Sequence, residues 1–233
     1  MQRLQRDADL AALRSTVSWM GDLVLERLTL AVRSVVDRDA DAARLVIERD
    51  HEVDALQVQT DERALLLLAL QTPEAGDLRF VVSSIKANGD LERLGDQAVN
   101  IAEAALKLLE KPALPQLIPI GTMAQRALGM VRDGLTAYLE RDATLARDVL
   151  RRDDEVDAMK NRMLTVVIDQ MMRDSSTIER GMELIVVSRC LERVADHATN
   201  MAEDAIFLVE ALDVRHHRAD AILHPTAEPP KPS

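Results

Sequence analysis

Apolar residues recur along this chain at helical spacing. In residues 91–105 Leu94, Ala98, Ile101 and Ala105 share one face, while Glu92, Asp96, Asn100 and Glu103 fall together on the opposite one. Proline punctuates the pattern. It occurs at Pro73, at Pro112, Pro115 and Pro119, and at Pro225, Pro229, Pro230 and Pro232. The stretches between are proline-free and helix-forming, as uninterrupted helices require. The pattern predicts six long helices, at 5–38, 40–71, 77–110, 120–141, 143–172 and 176–212. "TPEAGD" separates the second from the third, and "RDSST" the fifth from the sixth. "KPALPQLIP" at 111–119 reads as a linker between a first bundle, 1–110, and a second, 120–212. Residues 213–233, ending "AEPPKPS", read as a flexible tail.

An internal repeat supports that division. "DADAARLVIERDHEVDAL" at 39–56 matches "DATLARDVLRRDDEVDAM" at 142–159 in 11 of 18 positions, at an offset of 103. "LERLGDQAVNIAE" at 91–103 returns as "LERVADHATNMAE" at 191–203, at an offset of 100. The second half is therefore three residues shorter between its blocks, most simply at its tighter turn. The expected fold is all-α, an elongated tandem of two pseudo-symmetric three-helix bundles.

The acids of the repeat form stripes. At 100° per residue, Glu92, Asp96, Asn100 and Glu103 span an arc of roughly 80°, and Glu192, Asp196, Asn200 and Glu203 repeat it. Asp50, Asp54, Gln57 and Asp61 make a similar stripe on the second helix. Asp153 and Asp157 begin one on the fifth, which Lys160 and Leu164 end. Like charges at i,i+4 destabilise a helix, so such stripes need arginines, water or a bound cation beside them. Carboxylates and amide carbonyls are the ligands that hard cations take. The competing reading is a solvated acidic face, with Arg93 and Arg193 neutralising their neighbours.

Composition narrows the function. Apolar residues at 47% and charged residues at 30% describe a globular chain of 233 residues, and aromatics at 2% suit helix packing better than sheets. A net charge of −11 argues against nucleic acid and fits cations or the basic patches of a protein partner. A lone cysteine, Cys190, excludes an internal disulfide and suits a reducing cytoplasm. The N-terminus lacks the features of a signal peptide. The longest apolar run, "ALLLLAL" at 64–70, is far short of the ~20 residues that span a bilayer, so membrane work would be peripheral.

Catalytic apparatus is not evident: the chain has no phosphate-cradling glycine loop and no nucleophile elbow. His51 closes an E-x-x-H of the di-iron type, but a second such motif is missing. His197 reads as a surface residue, His216 and His217 as tail residues, and Cys190 as core. Trp19 and Tyr138 read as packing residues, though an exposed Trp19 would signal a partner surface.

On "LLALQTPEAGDLRFVVSSIKANGDLERLGDQAVNIAE" at 67–103 and "LERVADHATNMAE" at 191–203, the chain resembles the PhoU family, accessory regulators of phosphate-specific transport. The resemblance extends at lower specificity over residues 8–212. It implies two three-helix bundles, a cytoplasmic homodimer, no catalysis, and iron, zinc, manganese or magnesium bound at E/D-x-x-x-D elements. It also implies negative control of the phosphate-starvation response through the transporter's ATPase subunit, PstB, and the sensor histidine kinase, PhoR. The E-x-x-x-D element falls on Glu92 with Asp96 and on Glu192 with Asp196. Gln57 stands where the family often has Glu, leaving Asp50, Asp54 and Asp61, and Lys160 interrupts the matching stripe of Asp153 and Asp157. A helical metal-storage or metal-oxidising protein, and an accessory protein of a different phosphate carrier, are the alternatives. Phosphate itself has no evident site among anionic stripes.

Overall fold

The structure, a computed structural model, describes residues 2–71, 73–114 and 120–215. Its helices are α1 (Gln2–Val36), α2 (Ala40–Glu48), α3 (His51–Leu70), α4 (Ala75–Leu109), α5 (Ile120–Glu140), α6 (Ala143–Arg173) and α7 (Ile178–Glu210). No strand occurs among the described residues. Residues 115–119 of the expected linker and 216–233 of the expected tail, with His216 and His217, lie outside the described residues. Val214, placed in the tail by sequence, is buried.

The duplication reaches down to backbone dihedrals. Arg38 (φ 56°) and Arg141 (φ 58°) occupy the same left-handed turn in the two halves. Each is followed by an aspartate that caps the next helix: Asp39 accepts from the N–H groups of Asp41 and Ala42, and Asp142 from those of Thr144 and Leu145. A left-handed arginine is strained, and both are held by contacts to α4. Arg38 donates to the carbonyl oxygens of Leu108, Leu109 and Lys111, the orphan acceptors at the end of that helix. The Arg141 guanidinium lies 5.7 Å from the centre of the Phe80 ring.

In the first half α1, α2 and α3 pack around α4, and in the second α5 and α6 pack around α7. The halves also pack on each other, α4 against α7 and α1 against α5, so one apolar core runs through both. Leu28, Leu91, Leu94, Ile101, Met130 and Leu191 are among its fully enclosed side chains. Helix α5 approaches α7 closely at Gly134, where a Cβ would come 3.0 Å from the Ala198 carbonyl oxygen. α4 and α7 run antiparallel. Lys86 meets Asp204, Asp90 meets Asn200, Lys107 meets Glu183 and Lys111 meets Glu179, each pair equally far on either side of Gly95 and Ala195.

The second predicted helix is broken, and the fifth is not. α2 ends at Glu48, and Arg49 (φ −102°, ψ 14°) departs from helical geometry. In an unbroken helix the Glu48 carbonyl would accept from the Glu52 N–H. Here His51 Nδ1 lies 3.1 Å from that oxygen, and the Glu52 N–H donates to Arg49 instead. With its proton on Nδ1, the imidazole takes over a backbone acceptor and tightens one turn. Asp154 stands at the equivalent place in α6, which runs on without a break.

Candidate cation faces on α3–α4 and α6–α7

Glu92 and Asp96 point from the flank of α4 that α3 covers, so they are partly buried rather than fully opposite the core. Asp50 and Asp54, at the start of α3, are their neighbours. Burial, then the charges of Asp54 and Asp96, raises the Asp50 carboxyl above its ordinary range. Burial, then Asp96, raises Glu92, with Asp54 and Asp50 adding to the repulsion. Arg93 opposes it from 3.6 Å (Glu92) and 3.9 Å (Asp96), but its side chain is 65% exposed and weakly placed to neutralise the group.

The second face has the same acids and a different centre. Burial, then Asp196 and Asp157, pushes Asp153 up to about 6, and burial, then Glu192 and Asp157, raises Asp196. Lys160, at the position of Gln57 in the repeat, donates to Asp157 Oδ1 at 3.0 Å and to Glu192 Oε1 at 2.8 Å. The bond to Glu192 holds the ammonium above its ordinary range. An internal cation already sits between α6 and α7.

The rest of each stripe goes elsewhere. Asp61 accepts from the buried Asn88 (2.9 Å), whose amide also donates to the Gln57 carbonyl. Asn100 and Glu103 are exposed farther along α4. Asn200 donates to Asp90 across the halves at 2.9 Å. Glu203 is half-buried, its carboxyl pushed up to about 7 by burial and then by Asp204. The four residues of a motif share a stripe on the wheel, but only the first two reach the neighbouring helix of their own bundle.

His197, read from sequence as a surface residue, is instead largely enclosed, with Nδ1 2.8 Å from Asp90 Oδ1. Trp19, read as packing, is 61% exposed. Tyr138 and Cys190 are buried as expected, and burial holds the Cys190 thiol up at about 11. The sequence signal for the His197 contact was Asp90, which has Cys190 as its repeat partner; that mismatch marks a polar contact between α4 and α7 that the repeat does not duplicate.

The donor set of the first face, four carboxylates with no internal ammonium between them, is chemically suited to a hard cation. Their side chains do not converge as placed: among the described residues no three His, Cys, Asp or Glu groups are gathered to hold a metal ion. The second face offers its acids to Lys160 instead.

A family model described as the PhoU domain matches this chain twice, at residues 17–105 and 120–205, once for each half of the repeat. The chain belongs to the PhoU family. Among PhoU relatives, the phosphate-specific transport system accessory protein PhoU homolog of Pseudomonas putida is 36% identical over 213 residues, covering 91% of this chain and 83% of the relative. That of Aquifex aeolicus is 36% identical over 208 residues, covering 89% and 94%. The crystal structure of PhoU from Pseudomonas aeruginosa superposes with a TM-score of 0.86 at 34% identity, covering 88% of this chain and 99% of the other. The phosphate transport system regulatory protein PhoU from Streptococcus pneumoniae gives 0.84 at 30% identity, covering 91% and 100%. The likeness to PhoU thus spans both bundles and their packing on each other.

Proposed function

We propose that this chain is a regulatory accessory protein of a phosphate-specific transport system, acting in the cytoplasm to restrain the phosphate-starvation response while phosphate is plentiful. The observation that carries this reading is the likeness to PhoU proteins over both halves, in sequence and in fold. The chain works by contact, with the transporter's ATPase subunit and the sensor kinase as partners and a second copy of itself as a dimer mate. Its net charge of −11 favours basic partner surfaces. Exposed Leu65, Leu66 and Leu70 on α3, and Met172 and Met182 on α6 and α7, offer apolar area for such contacts. No described helix is long and apolar enough to cross a membrane.

In this reading Asp50, Asp54, Glu92 and Asp96 hold a divalent or trivalent cation, iron, manganese, zinc or magnesium. Its charge offsets the burial and the like-charge repulsion that raise Asp50 and Glu92. The carboxylates themselves tie the start of α3 to the middle of α4, so occupancy stiffens a surface that a partner reads.

The test is a strain lacking this protein and any redundant copy, carrying a reporter of the starvation response. The reporter should be on in high phosphate and fall silent when the wild-type chain is restored. A chain with Asp50→Asn, Asp54→Asn, Glu92→Gln and Asp96→Asn should restore only part of the silencing. A reporter that stays repressed in the deletion strain overturns the regulatory reading.

A further inference from the structure

Three departures from the repeat coincide in the first half. Counting back from Arg38 and Arg141, Arg27 stands where the second half has Met130, and both side chains are buried, 2% and 1% exposed. A guanidinium in a methionine's place carries a desolvation penalty that a packing role does not explain. Its Nη2 donates to Glu52 Oε2 at 2.5 Å, yet Nε and Nη1 have no hydrogen-bond partner, with Nη1 3.8 Å from Glu26 Oε1. The break between α2 and α3 falls beside it and brings in Arg49, whose Nε lies 2.9 Å from the other Glu52 oxygen. Trp19, about two turns earlier on α1, is exposed where the second half has Thr122.

Trp19, Leu23, Arg27, Arg49, His51 and Glu52 line one cavity of about 620 Å³. That volume is in the range of small-molecule sites. Two arginines clamp a single carboxylate at its base, so the cavity already contains the geometry of an anion site, filled by the chain's own Glu52. Its wall is aromatic and aliphatic.

We propose that this cavity binds a small organic phosphate bearing an aromatic ring, of the nucleoside monophosphate class. The phosphate exchanges with the Glu52 carboxylate between Arg27 and Arg49, using donors of Arg27 that are otherwise unpaired, with His51 at the rim. The ring lies against Trp19 and Leu23. Glu26 and Glu52, which also line the cavity, disfavour a triphosphate more than a monophosphate by like-charge repulsion. Inorganic phosphate shares the anion chemistry and lacks the ring, so it binds more weakly. The site goes beyond the regulatory reading and stands without it.

Trp19 is the chain's single tryptophan, which makes its fluorescence a direct reporter. Adenosine monophosphate, guanosine monophosphate, adenosine and inorganic phosphate are titrated in turn into the full chain. The monophosphates should quench saturably, and adenosine and inorganic phosphate should need at least tenfold higher concentration. Arg27→Met, which copies the second half, should weaken monophosphate binding at least tenfold with helicity intact. Arg49→Gln, a surface change, should also weaken it and serves if Arg27→Met disturbs folding. Glu52→Gln should tighten it. The proposal is overturned by an absence of saturable quenching at millimolar monophosphate, by adenosine binding as tightly as its phosphate, or by undiminished binding in both arginine variants.

Discussion

The two halves carry the same acids and differ at one central side chain. Gln57 leaves Asp50, Asp54, Glu92 and Asp96 near enough to repel one another with no ammonium among them, whereas Lys160 settles between Asp157 and Glu192. A lysine on the same frame does internally what a bound cation would do from outside. Duplication preserved the scaffold and changed the electrostatics: Lys160 holds two of the four acids of the second face, while the first face has no ammonium among its acids.

Leu91 and Leu191 are equivalent positions of the repeat in one shared core, so equivalent changes there should be equally damaging. Leu91→Ala and Leu191→Ala, both enclosed on all sides, should each destabilise the fold by about 2–5 kcal/mol in chemical denaturation. A large difference between them would mean that the core is not shared evenly.

The next largest effect bears on the faces. Titration with manganese or magnesium should show Glu92→Ala with Asp96→Ala weakening binding by about tenfold or more, ~1.4 kcal/mol per factor of ten. Lys160→Gln should create a second binding site by giving the second face the centre of the first. A Lys160→Gln chain with unchanged stoichiometry would break the comparison.

A smaller effect concerns pH and the contact between halves. Asp204, nearly enclosed, has its carboxyl pushed up to about 6 by burial, with Lys86 opposing at 3.2 Å. Because its folded pKa is above the unfolded value, the stability it contributes is full below about 4 and is lost as pH rises through about 6. Asp204→Asn should flatten the fall in thermal stability between pH 4 and 7. The repeat partner Ala104 has nothing to titrate, so this slope belongs to one end of the α4–α7 contact.

The smallest expected effect should also be the most symmetric. Asp39→Ala and Asp142→Ala each remove a side-chain cap with two N–H bonds, and each should lower the thermal midpoint slightly and by a similar amount. Asp39 also pairs with Arg33, which would make its loss slightly the larger.

The long helical segments, the turns between them and the doubling were legible because periodicity and proline act locally. Glu92 with Asp96, and the interruption at Lys160, were legible too, since position on one helix decides them. The break at Arg49 was not: it depends on which acceptor the His51 ring takes, and "ERDHEVD" otherwise reads as helix. Arg27 was hidden for another reason. A charged residue in an amphipathic run reads as exposed, and only packing of α1 against α3 encloses it. Asn200 and Glu203 fell on the right stripe and faced the wrong neighbour, because the wheel says nothing about where α4 crosses α7.

That crossing has a further consequence. Antiparallel helices whose contacts mirror about Gly95 and Ala195 are what a symmetric dimer of half-length chains would form, each third helix lying on its own copy. In such a dimer every substitution appears twice, and every rung is repeated on the other side of the axis. Joining the halves removed that restriction. Lys86 pairs with Asp204 while the mirror rung is Val186 with Ala104, and Asp90 holds Asn200 while Cys190 lies buried opposite. The protein is a covalently closed dimer free to carry different polar pairs on the two sides of its axis, Lys86 with Asp204 on one and Lys107 with Glu183 on the other.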